Sequence, residues 1–253
     1  MPELRLHLGL RKTGTTFLQR WLDVSKFAPN TNWINEKAAR KQIRIRAPLP
    51  TWLESDDTVI VSDENLLSHC DNRQSFSHPT DRLSCLIPDQ PALFIGLRNY
   101  ADFFTSSWVQ LIKRQKYRPF FPNEPLTRRW PDLLRDLTVM FPNSPITVWN
   151  YADFRGNEAQ IAQLITGNRV AELGPRPRDK MNQRLSTSAI DTLSKLEQPP
   201  KDAAYHKFFA AHPITASNPK FDPWTPETRA PLDDAFVKDW DEIAKYGTIW
   251  RPT

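Results

Sequence analysis

Three short runs of this chain are apolar at almost every inner position: TVIVS (58–62), ALFIGL (92–97) and ITVWNY (146–151). A strand wetted on one side alternates polar and apolar residues, so runs of this kind require cover on both faces. A parallel sheet between two layers of helices meets that requirement. A fourth run, LRLHLGL (4–10), alternates leucine with Arg5, His7 and Gly9. Helical spacing fills the gaps between runs. Phe17, Leu18, Trp21 and Leu22 share one helix face, and Phe104, Trp108, Leu111 and Ile112 recur at i, i+4, i+7 and i+8. The alternation predicts an α/β fold, a P-loop-like three-layer arrangement with a mostly parallel central sheet flanked by helices.

At 253 residues the chain is expected to form one domain, with a core at about 1–185 and a more irregular, helical part at about 186–253. In that second part, STSAIDTLSKL reads as a helix with Ser186 as its N-cap. The proline-rich HPITASNPKFDPWTPETRAP reads as irregular, and LDDAFVKDWDEIAKY as a last helix closed by Gly247. Hydrophobic residues at 39% and charged residues at 25% suit a globular chain rather than a disordered one. No apolar run is long enough to span a bilayer, and no charged segment followed by an apolar one precedes the first strand. Cys70 and Cys85 are the only cysteines, which disfavours a disulfide framework or a zinc site and makes a cytoplasmic location the expectation. The net charge of +5 favours anionic partners without choosing among phosphate, sulfate, acidic glycan and nucleic acid. The densest basic stretch, KRQKYR (113–118), suits either a solvated helix end or contact with an anionic ligand.

Glycine is scarce, with 7 in the chain, yet two fall within GLRKTGTT (9–16). The order strand, polar turn, amphipathic helix presents the backbone N–H groups of Gly14, Thr15 and Thr16 at a helix N-terminus, where the macrodipole favours an anion. Thr13 and its neighbours add hydroxyls, and Arg11 and Lys12 add positive charge. A phosphate-type ligand follows from that chemistry. The loop is not the nucleoside-triphosphate form GxxxxGK[ST], because Lys12 precedes Gly14 instead of following it. GxGxxG, GxSxG and HExxH are absent as well.

GLRKTGTTFLQ resembles the 5′-phosphosulfate loop of sulfotransferases that use 3′-phosphoadenosine 5′-phosphosulfate (PAPS), in particular the bacterial carbohydrate-type branch. The resemblance implies that Lys12 contacts the phosphosulfate and that Arg11, Thr13, Gly14, Thr15 and Thr16 belong to its cradle. It also implies that Phe17 stacks on adenine. The family's second signature is an arginine at a strand end with a serine eight positions on, both gripping the 3′-phosphate. FIGLRNYADFFTSSWVQL (94–111) supplies Arg98 and Ser106 at that spacing, with Trp108 where the family often has an aromatic. An arginine fork and a serine hydroxyl suit phosphate oxygens. The family usually carries proline two residues after the arginine, where this chain has Tyr100. VWNYADF (148–154) looks like a later strand-to-helix junction of the family. KMNQRLS (180–186) looks like its nucleotide-closing segment, with Arg184 in a small residue's place and thus a further candidate phosphate contact.

The resemblance implies transfer of a sulfuryl group from PAPS, leaving the product PAP, to a hydroxyl on a small-molecule or glycan acceptor. No metal, nucleic-acid partner or transmembrane segment is expected. A general base is expected at the carboxyl end of the second strand. VIVSDENLLSH (59–69) makes Glu64 the candidate, with His69 in reserve. The same stretch suits a helix start with Ser62 or Asp63 as N-cap, and both readings can hold together. His7 reads as a packed histidine, with support of the loop as the alternative. Two rival functions stand beside this one: a kinase-like phosphotransferase using ATP and magnesium, and a nucleotide-binding module without catalysis.

Overall fold

Six parallel strands make the central sheet of the computed structural model, which describes residues 3–9, 13–39, 57–63, 66–67, 83, 90–123, 125–177 and 184–252. The elements run β1 (Leu4–His7), α1 (Thr15–Leu22), β2 (Lys26–Phe27), β3 (Thr31–Ile34), β4 (Thr58–Ser62), β5 (Ala92–Leu97), α2 (Tyr100–Ile112) and α3 (Trp130–Met140). Then follow β6 (Ile146–Asn150), α4 (Glu158–Thr166), β7 (Val170–Glu172), α5 (Thr187–Ser194), α6 (Asp202–Ala211), α7 (Pro226–Ile243) and β8 (Thr248–Trp250). The sheet order is β3-β4-β1-β5-β6-β8, and β2 pairs with β7 in a small antiparallel ladder. This is the three-layer α/β arrangement that the apolar runs demanded.

The inner strands β4 and β5 bury both faces, which is why their sequences show no clean alternation. Leu6, Leu8, Val59, Val61, Leu93, Ile95, Leu97 and Val148 point into one core with Tyr100, Phe103 and Phe104 of α2, Leu133, Leu134 and Leu137 of α3, and Leu232 and Phe236 of α7. Ile60, Phe94 and Trp149 point the other way, onto Leu18 and Leu22 of α1 and Ile161 and Ile165 of α4. A third, smaller cluster joins Ile112 to Leu185, Ile190 and Leu193. The chain places β3 and β4 on one side of β1, then crosses to add β5, β6 and β8 on the other. The carboxyl ends of β1 and β5 therefore flank a topological switch point, the place where open α/β sheets form a crevice.

The C-terminal third joins the main core: α7 buries Leu232, Phe236 and Ile243 there, and β8 is an edge strand of the six-stranded sheet, paired with β6 through Thr147↔Thr248 and Trp149↔Trp250. Two of its details depart from expectation. The last helix begins at Pro226, earlier than expected, because Thr225 caps it by accepting from the Thr228 N–H and proline is tolerated at the first helical position; Pro231 lies inside. Gly247 does not close that helix, which is capped at Ala244. Its role is space, since a Cβ there would come within 2.7 Å of the Ile146 carbonyl and push β8 off β6. Ser186 caps α5 as expected, its hydroxyl accepting from the Ala189 N–H.

Tyr100, the first residue of α2, holds this architecture beyond the end of β5. It is fully buried, its hydroxyl donates to the Asp239 carboxylate of α7 and accepts from the Trp130 N–H of α3. Arg129 reaches the other oxygen of Asp239, itself fully buried. Burial raises the Tyr100 hydroxyl above its ordinary pKa and keeps it a neutral donor. The Trp130 indole N–H then donates to the Arg98 carbonyl at 2.9 Å, so the same network fixes the strand end that bears Arg98. Substituting Tyr100→Phe leaves a buried carboxylate oxygen and a buried N–H each short of a partner. The expected cost is about 1–3 kcal/mol of unfolding free energy, read from urea midpoints at unchanged slope. A loss below about 0.5 kcal/mol would show that the hydroxyl carries no net stabilisation.

Candidate functional site

The loop after β1 is built on two glycines with no room for a side chain. A Cβ on Gly9 would lie 1.9 Å from the Thr15 hydroxyl, and one on Gly14 would lie 2.6 Å from the Phe154 ring. Gly14 also sits at φ 84°, a conformation that glycine adopts without strain. It starts α1, whose N-terminus carries no side-chain cap and no acidic residue in its first turn. The Phe17 and Leu18 N–H groups bond back to the Gly14 carbonyl, at 2.9 and 3.2 Å. Those of Thr15 and Thr16 precede the first intrahelical bond and stay available to an anion. Thr13 and Thr15 are buried with their hydroxyls 3.4 Å apart, while Thr16 and Phe17 are half-buried. Arg11 and Lys12 lie outside the described residues.

Beneath this loop the carboxyl ends of β1 and β4 are tied to α1. His7 Nδ1 is 2.9 Å from the Ser62 hydroxyl, and the Gln19 amide donates to the Ser62 carbonyl at 3.0 Å and approaches its hydroxyl at 3.2 Å. His7 is fully buried against Trp149, ring centroids 5.7 Å apart, and its Nε2 has no partner. Burial pushes the imidazole pKa down to about 3, so the ring stays neutral. His7 is thus packed and also linked to the loop through Ser62 and Gln19. The Ser62 hydroxyl meets both His7 Nδ1 and the Gln19 amide, and the backbone N–H groups that it would cap lie outside the described residues. Asp63 is buried, its N–H bonds to the His7 carbonyl and its carbonyl accepts from Leu66 N–H at 3.4 Å. Glu64 and His69 lie outside the described residues.

On the far side of the switch point Arg98 leaves the end of β5. Asn99 caps α2 by accepting from the Ala101 N–H, which starts the helix at Tyr100 and carries Ser106 back toward the strand end two turns later. Arg98 Nη1 donates to Ser106 Oγ at 3.1 Å, and its guanidinium lies 4.8 Å from the Tyr151 ring centroid. Burial lowers the Arg98 pKa; Asp102 opposes that effect, and Arg184 and Arg229 reinforce it. Arg229 is itself bonded to Asp102 at 3.2 Å. Arg184 is exposed on a short strap whose Ser186 forms an antiparallel bridge with Lys220 and whose Leu185 carbonyl accepts from Phe221. Lys220 is half-buried with its pKa lowered, first by burial and then by Arg184.

The two halves are joined by rings. Tyr151 stacks on Phe154 at 5.7 Å, and Phe154 packs under Gly14 and edge-on to Phe17 at 6.1 Å. The structure therefore gathers Thr13, Gly14, Thr15, Thr16 and Phe17 on one side of an aromatic bridge and Arg98, Ser106 and Arg184 on the other. In the sequence VWNYADF looks only like a strand-to-helix junction, and no local pattern marks Tyr151 and Phe154 as the bridge. Nothing in its proline-rich segment marks Lys220 either. The basic run at 113–118 lies at the end of α2, with Arg114, Lys116 and Arg118 exposed and Lys113 over the Phe209 ring at 4.9 Å. The chain matches no protein-family model and no curated protein.

Neutral burial of His7 makes stability depend on acid. In the unfolded chain the imidazole takes up its proton near 6.5, while the folded ring resists protonation down to about 3. The unfolded state thus binds the extra proton across that interval, and the contribution, complete above 6.5, falls as pH drops through it. The expected slope is about 1.4 kcal/mol per pH unit, measured by denaturant unfolding from about pH 7 to about pH 4. His7→Gln should flatten the profile by that amount; equal slopes would mean that the folded protein already binds the proton.

Proposed function

We propose that this protein is a sulfotransferase that moves a sulfuryl group from PAPS to an acceptor hydroxyl, on a small molecule or a glycan. The observation that carries the reading is the pair Arg98–Ser106, 3.1 Å apart at the carboxyl end of β5 and joined through Tyr151 and Phe154 to the uncapped N-terminus of α1. Two donor sites for anions, one cationic and one built from backbone N–H groups, fit a ligand with a phosphate at each end of a nucleoside. A single triphosphate needs only one such cradle. The donor set fits PAPS in its chemistry: a fixed guanidinium and hydroxyl for the 3′-phosphate, helix N–H groups and threonine hydroxyls for the 5′-phosphosulfate.

In this reading Lys12 joins the loop donors in stabilising charge on the departing phosphate oxygen, and Glu64 accepts the proton of the acceptor hydroxyl. The work of the remaining residues is positioning and electrostatics, as in phosphoryl transfer. Tyr151 lies against the Arg98 guanidinium with its centroid 4.8 Å away, Ser106 accepts a hydrogen bond from it, and Trp130 anchors its backbone. Tight binding of PAP without magnesium, with ADP far weaker, is the expected calorimetric result. Arg98→Ala should weaken PAP by about 10- to 100-fold, the worth of hydrogen bonds to a charged group, and leave ADP nearly unchanged. Glu64→Gln should lower turnover by about 10²- to 10⁴-fold at constant PAP affinity. Binding of ATP with magnesium and none of PAP would replace this reading with a kinase-like one. PAP binding without turnover on any hydroxyl acceptor would leave a nucleotide-binding module.

A further inference from the structure

The end of α2 farthest from Arg98 carries charge of one sign. No Asp or Glu occurs from Phe103 to Asn123 or from Ala203 to Phe221, although the chain holds 29 acidic residues against 34 Lys and Arg. These two acid-free stretches meet in space. The Trp108 and Phe221 rings lie 5.4 Å apart, Lys113 Nζ sits 4.9 Å from the Phe209 ring centroid, and Phe208 and Phe209 pack on the cluster around Ile112. The charge of Arg114 reaches Tyr205 of α6. Arg114, Lys116, Arg118 and Lys207 are exposed around this contact, and Asp191 of α5, which reaches Tyr117, offsets part of their charge. A helix end accounts for cations in its own last turn. It does not account for a second stretch, from another part of the chain, that brings Lys207 and no acid to the same lobe.

Each stretch also presents an apolar tip on a held turn. In RPFFP (118–122) Phe120 turns inward onto Trp108 and Trp224, at 5.5 and 5.2 Å between centroids, while its neighbour Phe121 is 50% exposed. In the other stretch Asn218 closes a turn. Its N–H bonds to the Thr215 carbonyl, its side-chain amide donates to the Pro213 carbonyl, and its Oδ1 accepts from the Ser188 N–H. Ile214 sits on that turn, 47% exposed.

Cations around an apolar tip match a bilayer surface: Lys and Arg are drawn to anionic headgroups, and the apolar side chain enters the boundary with the acyl chains. A hydrated glycan or a nucleic-acid backbone would meet the cations but give Phe121 and Ile214 nothing apolar to enter. We propose that this lobe, the end of α2 with the loop after it and α6 with the turn after it, docks the protein on bilayers that carry anionic lipid. The docking is peripheral, since no helix among the described residues is long and apolar enough to cross. A helix of this length spans about 20 Å, which keeps the bilayer a helix length from Arg98. The proposal stands independently of the sulfotransferase reading.

The test sediments the protein with vesicles of phosphatidylcholine alone, or with about one third phosphatidylglycerol, at low and at raised salt. Wild type should bind only the anionic vesicles and release them as salt rises. Lys116→Glu combined with Arg118→Glu should weaken binding about 25-fold or more, and Phe121→Ser combined with Ile214→Ser about tenfold. Lys245→Glu, exposed and outside the lobe, should change it less than about threefold. Unchanged circular dichroism would show that each variant folds. Absence of binding to anionic vesicles would overturn the proposal, and so would equal losses in Lys245→Glu and the lobe variants. Serine variants that bind like wild type would leave attraction between charges alone, a general polyanion face that a short single-stranded DNA would occupy equally well, and would overturn membrane docking. All three results leave the sulfotransferase reading standing, because PAP binding is read separately.

Discussion

Strands β5 and β6 end level, Leu97 opposite Asn150, and the side chains collected around that end depend on its holding its place. The interaction that holds them on the β5 side is the buried group formed by Tyr100, Asp239, Arg129 and Trp130. A carboxylate with no exposed surface is tolerated only if its charge and its lone pairs are met. Asp239 meets them with a guanidinium and a phenol, and Tyr100 passes the constraint to α3 through the Trp130 N–H. Trp130 then bonds to the Arg98 carbonyl. The strand end is thus fixed from beneath by a chain of hydrogen bonds rooted in the longest helix. A proline at position 100 would supply a stiff turn but none of these bonds.

The β1 side uses a neutral version of the same device. His7, Ser62 and Gln19 link β1, β4 and α1 without a formal charge, because the imidazole is too deeply buried to hold a proton. The loop above it relies on exclusion of side chains: both glycines sit where any Cβ would collide. A cradle made of backbone N–H groups needs this closeness, since only bare backbone brings several donors to one anion. The aromatic pair Tyr151–Phe154 then serves both sides at once, flooring Gly14 and facing Arg98. Aromatic faces suit that position because they attract a guanidinium while offering no competing hydrogen bond.

How much of this was legible in the sequence follows from whether a feature is local. β4 and β5 were read to the residue, because runs buried on both faces stand out against their surroundings. β3 and β8 were missed: TNWI and TIW are short edge strands, and their pairing with β4 and β6 is decided by the sheet and not by pattern. The meeting of Arg98 with Ser106 was legible because both belong to one strand-to-helix unit, and eight residues is the spacing that two turns of helix require. Trp130, Asp239 and Lys220 were not legible, since each arrives from another part of the chain and no spacing links it to its partner. The first turns of α7 are hidden in a proline-rich stretch, where Pro231 lies inside the helix although proline there normally argues against one.

Charge is the last constraint on the site. Burial first, and then the positive charge of Arg184, lowers the proton affinity of Arg98 and of Lys220, both partly withdrawn from water. Such a cluster costs free energy in the folded chain, and Asp102 offsets part of it by drawing on Arg98 while also binding Arg229. Folding alone gives no reason to bring the strap of Leu185 and Phe221 over Arg98, because the hydrophobic contacts it makes could be had with neutral residues at positions 184 and 220. Under the proposed function a multiply charged anion bound near these cations would turn their mutual repulsion into shared attraction, and the free energy that they cost the folded chain would return as affinity.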